Sequence, residues 1–388
     1  MAIDGCKLSS NASKEWSGTK EQLRKKKEKL EAVIRDMVKR HRDKDKDDDR
    51  GSAGRGEPER IEKLKRKVER ISEFLESHEE KEGKRGRELQ SNITDNESAK
   101  MQTSHGMVQG YNGVAVVDEK HQVIVEAQAF GSGPEQELLT PMIEGAKGNL
   151  EAIGKGKDAL EGVQLLGDTG YHTEDNCKRM EDEQIDAYLP DVNYRRRDPR
   201  FKDAKDHKPP PAKVRFTIKD FTHDAETDRY ICPAGKGLRL EKRAARIKEC
   251  IGRQYKARQK DCSVCPLKSR CLSSEKTKER YLFIIDRRYD KNYSEAMIKK
   301  IDTSAGRDIY SHRMGIVEPV FGNLRWAKGL DHFTLRGRTK VTIQWMLYAI
   351  VHNIGKIFRY GQDRLLAMRR DNKTYAKVTH SKLSFEYG

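Results

Sequence analysis

Long hydrophobic runs are missing from this 388-residue sequence. No apolar stretch approaches the ~18 residues that a membrane span needs, and no signal-peptide pattern opens the chain, which sets aside membrane and secreted proteins. Apolar side chains are scarce altogether, 35% against 36% charged. One apolar core along the whole length is therefore not expected, and part of the chain should be elongated or solvated. The length suits two or three units of roughly 100–200 residues each. Acid is the minority charge: 62 Asp and Glu face 79 Lys and Arg, a net +17. Such an excess points to a polyanion, most often nucleic acid, whose phosphates release counterions when neutralised. A solvated surface is the plainer alternative. Seven cysteines without a secretory signal should be reduced, so their spacing says more than their pairing.

Residues 19–45 carry Leu23, Leu30 and Met37 seven apart with Ile34 between them, and 58–78 carry Ile61, Leu64, Val68, Ile71 and Leu75 at 3-4-3-4 spacing. With a polar, glycine-containing tip between them, the two segments predict an antiparallel helical hairpin with a coiled-coil seam. Two surface helices packed on a globular body fit nearly as well. From about residue 107 the pattern turns to strands: 113–118 and 123–130 form a hairpin, a helix follows from Pro134 to about Asn149, and 162–168 is an apolar strand ending on Asp168. A helix over 174–184 and a strand near 187–189 complete a mixed α/β sheet. Residues 191–282 are basic, contain Lys208-Pro-Pro-Pro211 and hold five of the seven cysteines, which marks an insertion. Helix dominates again over 290–300 and from Ile309 to Tyr360, and the apolar segment Val341 to Phe358 should dock on the sheet.

Three carboxylates stand out by context: Asp4 on a short apolar run before a polar turn, Asp168 at a strand end in Gly-Asp168-Thr-Gly-Tyr171, and Glu318 on a helix between Arg313 and Arg325. Acids converging from two strands and a helix can hold two Mg²⁺ ions ~3.5–4 Å apart, which activate a hydroxyl and stabilise the leaving oxygen in phosphodiester cleavage. Any one of them, taken alone, is better explained as a solvated or capping side chain.

At these residues the sequence resembles the DDE-type transposases of bacterial insertion sequences. Asp4-Gly-Cys-Lys-Leu-Ser-Ser-Asn-Ala-Ser13 is similar to the family's first-strand motif, usually Asp-Gly-Thr-Lys, with Cys6 in place of Thr. Residues 91–101 followed by Gly110-Tyr-Asn112 are similar to the approach to the second strand, and Asp168-Thr-Gly-Tyr171 to the motif around the second acid. The segment Tyr310…Arg313…Glu318-Pro-Val-Phe-Gly322…Arg325 resembles the third, with one extra residue between Arg313 and Glu318 and Arg325 where Lys is usual. The resemblance implies an α/β, RNase H-like mixed sheet flanked by helices, with a helical-hairpin insertion and a Cys-rich insertion. It implies a catalytic and metal-binding triad of Asp4, Asp168 and Glu318 using Mg²⁺ (or Mn²⁺), with Arg313 and Arg325 on phosphate or a DNA end. Asp95, in Thr-Asp95-Asn-Glu, is the rival for the first acid. The implied activity is DNA cleavage and strand transfer at insertion-sequence ends, on double-stranded DNA, by a homodimer when two ends are synapsed, in the bacterial cytoplasm at the nucleoid.

The boundaries that follow are 1–18 for the first catalytic strand and turn, 19–90 for the hairpin, 91–190 for the core strands and helices, 191–282 for the Cys-rich insertion and 283–388 for the C-terminal helices. Only Met1-Ala-Ile precedes Asp4, whereas the family normally has a helical region there. The expectation is a reading frame cut at its 5′ side, and the alternative function is a catalytically inactive, truncated remnant that only binds DNA.

Cys262-x2-Cys265-x5-Cys271, with Cys232 as a fourth thiolate, fits a structural Zn²⁺ site able to fold a segment poor in apolar residues. An iron–sulfur cluster or plain reduced thiols are the alternatives, and Cys250 is an alternate ligand. Arg195, Arg196 and Arg197, with Arg200 and Lys202, and the stretch Lys242 to Lys248 are candidate DNA-backbone contacts. Trp16 could stack on a base near the cleaved end, although a core or surface role suits it better.

Overall fold

The computed structural model describes residues 1–47, 57–83, 86, 88–104, 106–203, 215–247, 250–274, 276–285, 289 and 291–361. The polar tip after Asp47, the triple proline and Lys248 fall outside these, as does the segment after 361. The chain divides into two compact units, Met1–Asp191 with Lys299–Gly388, and Val192–Ile298.

In the first unit, β1 (Ala2–Ser9) leads through the two-residue β2 (Ser17–Gly18) into α1 (Lys20–Asp47) and α2 (Glu57–Ser77). The two helices pack as the antiparallel hairpin their spacing predicts: Leu23 meets Ile71 and Phe74 at one end, and His41 lies 3.8 Å from Glu57 at the other. Trp16 is part of that packing, with Lys26 and Arg70 over its ring at 5.5 and 5.2 Å. It is thus built, partly buried, into the foot of the hairpin, the packing role that the sequence favours over base stacking. β3 (Ser91–Asn92) pairs with β2 and pins that foot.

The sheet is built from β1 with β4 (Ala99–Thr103), β5 (Gly106–Val117), β6 (Ile124–Phe130), β7 (Gln164–Leu166) and β8 (Asp186–Tyr188). Its order is β6-β5-β1-β7-β8, with β4 against the first half of β5. β5 is antiparallel to β6 and to β1, from Ala2↔Val117 to Ser9↔Gly110, whereas β7 runs parallel to β1 and to β8. The valines of β5 suit such a doubly covered strand. Asp4 is not at the end of its strand, since β1 runs on to Ser9. Gly110 is required where the two strands converge, because a Cβ there would sit 2.0 Å from the Leu8 carbonyl oxygen.

Two helices follow the sheet strands: α3 (Leu139–Ala152) and α4 (Glu174–Asp182), the latter capped by Thr173, whose hydroxyl accepts the Asn176 N–H at 3.0 Å. α3 begins five residues later than the sequence suggests. Residues 135–138 form a turn closed by the Leu138 N–H on the Glu135 carbonyl at 2.9 Å, and Pro141 then occupies the first helical turn, where a missing N–H costs nothing.

The second unit holds the short α5 (Tyr194–Arg197) and the antiparallel sheet β9 (Thr222–Asp224), β10 (Arg229–Ile231), β11 (Gly237–Ile247), β12 (Cys250–Lys256) and β13 (Tyr281–Ile285) in sequential order. α6 (Gln259–Ser263) and α7 (Lys268–Cys271) lie between the last two strands, and α8 (Tyr293–Ile301) closes the unit. Its buried cluster is small: Phe221, Leu238, Tyr255, Ala257 and Leu282.

Back in the first unit come α9 (Ser304–Ser311), α10 (Arg313–Gly322), a π-helical turn over Asn323–Ala327 and α11 (Arg338–Tyr360). Pro319 sits inside α10 and leaves the Gly315 carbonyl without its helical partner; the Gln122 side-chain amide donates to that oxygen at 2.9 Å. α11 docks on the sheet as expected. The Trp345 indole N–H donates to the Val114 carbonyl at 2.9 Å, and the Asn353 side chain both accepts from and donates to the Ile124 backbone at 2.8 Å. Only one face docks; Ile343, Leu347, Ile350, Ile354 and Ile357 are half exposed. Asp95 and Glu97 cap this helix, accepting the Gly337 and Arg338 N–H groups at 3.2 and 2.9 Å, where carboxylates suit the positive end of the dipole. The buried Tyr111 hydroxyl also donates to both Asp95 oxygens, at 2.9 and 2.8 Å. Tyr111→Phe should therefore destabilise the protein by about 1.5–3 kcal/mol, as expected for a hydrogen bond to a charged group, which urea unfolding would measure.

Candidate functional site

Side chains alternate along β1, so Asp4 and Cys6 share one face while Gly5 and Lys7 share the other. On the first face lies α10, which packs on β1 and runs in the same direction. Its Arg313, buried at 8% exposure, places a guanidinium nitrogen 2.8 Å from Asp4 Oδ2, and the Gly5 N–H donates to Asp4 Oδ1 at 2.8 Å. Burial pushes the Asp4 carboxyl above the ordinary range and Asp168 adds to this, while Arg313 and the Gly5 amide pull it back. Further along, the Arg325 guanidinium hydrogen-bonds Cys6, whose thiol burial pushes up to about 11. Trp326, next in sequence, is 84% exposed.

Asp168 ends the strand turn after β7 and accepts the Gly170 N–H at 2.8 Å, capping the turn Thr169–Tyr171. A third acid adjoins it. A Cβ on Gly170 would lie 2.6 Å from Glu135 Oε2 and 2.9 Å from Asp168 Oδ1, and one on Gly5 would lie 3.0 Å from Glu135 Oε1. Both glycines are needed to let these carboxylates approach. Glu135 accepts from the Asn112 amide at 3.1 Å and faces Lys7 at 3.7 Å. Burial raises its carboxyl, with Asp168 adding to the shift and Lys7 opposing it. The buried Asn176 holds the arrangement together, donating from one amide nitrogen to the carbonyls of Gln136 and Tyr171, both at 2.8 Å. The Tyr171 hydroxyl and Asn112 Oδ1 are buried without hydrogen-bond partners among the described residues, and Tyr171 lies within electrostatic reach of Glu135, Asp4, Asp168 and Arg313.

Asp4 and Asp168 are thus brought together, and Arg313 with them. Glu318 lies on α10, about 140° round the helix from Arg313; it is exposed and makes no ion pair with the described residues. Among the described residues no three of His, Cys, Asp or Glu already enclose a metal-sized point. Asp95, engaged by Tyr111 and α11, takes no part. Glu135 is the residue that sequence reasoning missed. It was assigned to the first turn of a helix, and only the tertiary link through Asn176 turns it towards Asp168.

In the second unit Arg195 and Arg196 are exposed, with Arg195 stacked on Phe201 at 5.4 Å; Arg197 completes the short α5. Arg200 is bound to Asp198 at 2.8 Å and to the Tyr194 hydroxyl at 3.1 Å, so it buttresses its own loop. Lys242, Arg243 and Arg246 are exposed along β11. Cys232, Cys262, Cys265 and Cys271 line one cavity. The side chain of Cys250 is outside the described residues.

Residues 231–358 match the model of a family described as transposase DDE domain. The matched stretch contains the four clustered cysteines, Arg313, Glu318 and Arg325, and ends within α11. No curated protein and no solved structure matches the chain. No helix among the described residues is long and apolar enough to cross a membrane.

Proposed function

We propose, on the transposase DDE domain model matched over residues 231–358, that the chain is a DDE-type transposase that cuts phosphodiesters at the ends of an insertion sequence and joins the freed 3′-hydroxyls to target DNA. The observation that carries this reading is the juxtaposition of Asp4 and Asp168 at neighbouring parallel strands. The order β6-β5-β1-β7-β8, with its first three strands antiparallel and the last two parallel, supports an RNase H-like fold.

The donor set suits a hard divalent cation. Asp4, Asp168 and Glu135 offer only oxygen, they repel one another, and the unpartnered Tyr171 hydroxyl and Asn112 oxygen lie beside them. Asp4 and Asp168 would hold Mg²⁺ or Mn²⁺; Glu318, the third acid that the resemblance implies, is exposed on α10 and would have to turn towards them to join the site. When bound, a pair of such ions supplies charge to the attacking and leaving oxygens of an in-line displacement. The chain's own residues do the rest. Arg313 fixes the Asp4 carboxylate, and Arg325 presents a planar fork suited to phosphate oxygens. Exposed Trp326 offers a face on which a base can stack. Glu135, held by Lys7 and Asn112, adds negative charge behind Asp168. The positive excess of the chain favours double-stranded DNA as substrate, and joining two ends calls for a dimer when they are synapsed.

Glu318→Gln should abolish Mg²⁺-dependent nicking of plasmid carrying the element's ends while DNA retention in a mobility-shift assay is unchanged. Glu135→Gln should raise the Mg²⁺ concentration needed and leave nicking measurable. If Glu318→Gln nicked normally and Glu135→Gln did not, the third acid would be Glu135 and the assignment of Glu318 would be wrong.

A further inference from the structure

Four of the five cysteines of the second unit line one cavity and serve no part of the proposed cleavage. We propose that Cys232, Cys262, Cys265 and Cys271 bind one structural Zn²⁺ as a four-thiolate site. They come from three separate pieces of chain: the turn after β10, α6 with the residues following it, and the end of α7. All four border a single cavity of about 400 Å³. None is in a disulfide, and each is partly buried.

The surroundings are those a thiolate needs. The turn at Cys232 is closed by its own N–H on the Lys236 carbonyl at 2.9 Å, and Gly235 takes a positive φ of 73°. This geometry aims the Lys236 N–H back at Cys232 Sγ, 3.3 Å away. The Arg280 backbone N–H likewise donates to Cys262. Backbone donors on sulfur stabilise the ionised form and orient it, as outer partners do at metal sites. Four thiolates around Zn²⁺ carry a net charge of −2, and Lys236, Lys268 and Arg280 on the cavity wall offset it. Sulfur-only ligation selects zinc over the hard cations.

The site also answers a question of folding. Cys232, Cys262 and Cys271 pack against a cluster of five buried residues, a small core among the described residues of 192–298. Cross-linking three pieces of chain through one ion supplies what that core lacks. Among the described residues the four sulfurs border the cavity without forming a closed metal site, so binding one ion requires them to draw together.

The test is metal analysis of the full chain as purified under reducing conditions without chelator. One zinc per chain is expected, lost for the most part in Cys262→Ser and in Cys265→Ser, and retained in Cys177→Ser, a buried thiol of the other unit. Cobalt added to zinc-stripped protein should give the near-ultraviolet thiolate charge-transfer bands of a tetrahedral site. Wild-type protein with no stoichiometric zinc and no such cobalt bands overturns the proposal. Full zinc in Cys262→Ser overturns it as well, and the visible absorption of a bound iron–sulfur cluster would replace zinc by iron. The outcome is independent of nuclease activity, since a chain unable to cut DNA would still bind the ion.

Discussion

Asp168→Asn is expected to reduce metal-dependent DNA nicking by on the order of 10²–10³-fold or more, the scale of loss when one charge-stabilising group leaves a preorganised site. The substitution is nearly isosteric, and the amide oxygen can still accept the Gly170 N–H that Asp168 Oδ1 accepts at 2.8 Å. The turn Thr169–Tyr171 should therefore keep its shape. What disappears is one negative charge beside Asp4 and Glu135. That loss relieves like-charge repulsion within the partly buried cluster, so stability should hold or rise slightly while the affinity for a divalent cation falls. Calorimetric titration of Mn²⁺ together with a thermal melt would separate the two effects. Lost nicking accompanied by a large drop in melting temperature would mean that Asp168 serves mainly to fold the turn.

Trp345→Ala should give the largest loss of stability, about 3–5 kcal/mol, as for other large-to-small changes of buried aromatics. The indole is fully buried, stacks with Phe321 at 6.0 Å and meets Phe333 edge-on at 6.3 Å. Gly113 is matched to it, since a Cβ there would approach the ring to 3.0 Å. Truncation leaves a cavity and also deprives the Val114 carbonyl of its donor. Met346, one residue on and 44% exposed, is the control, and its replacement by Ala should cost less than about 1 kcal/mol. Because α11 lies on the face of the sheet that carries Asp4 and Cys6, the Trp345 variant should also lose nicking at temperatures where the wild type is active. Urea unfolding of both variants decides the matter. Equal effects would mean that α11 is not seated on β5 and β6 as described.

The sequence carried the local architecture well and the site only in part. The heptad spacing of Leu23 to Leu75 was enough for the hairpin, because helix pairing depends on period. The valine-rich runs and Asp168 gave the central strands, because alternation and a terminal acid are local signals. What could not be read was anything fixed by long-range contact. Asp95 and Asp4 look alike as acids in polar company. Tyr111 and the start of α11, more than two hundred residues away, assign Asp95 to the fold, and Arg313 draws Asp4 to the site. Glu135 was hidden because the helix after Pro134 starts at Leu139, and the turn that frees its side chain is set by Asn176 in another helix. Trp16 reads from the sequence as a core or surface residue first, and the Lys26 and Arg70 groups over its ring at the foot of the hairpin agree with that. The cysteine spacing, with Cys232 as the fourth thiolate, suggested a metal, and the turn between β10 and β11 brings Cys232 to the cavity that the other three line.

The measurement that bears most directly on the central claim is nicking of DNA carrying the element's ends by the wild-type chain, in Mg²⁺ and in excess chelator. The account predicts nicks with free 3′-hydroxyls in Mg²⁺ and none in chelator. Salt-sensitive DNA binding with no nick in either condition would contradict it, and would leave the chain a transposase remnant that only holds DNA.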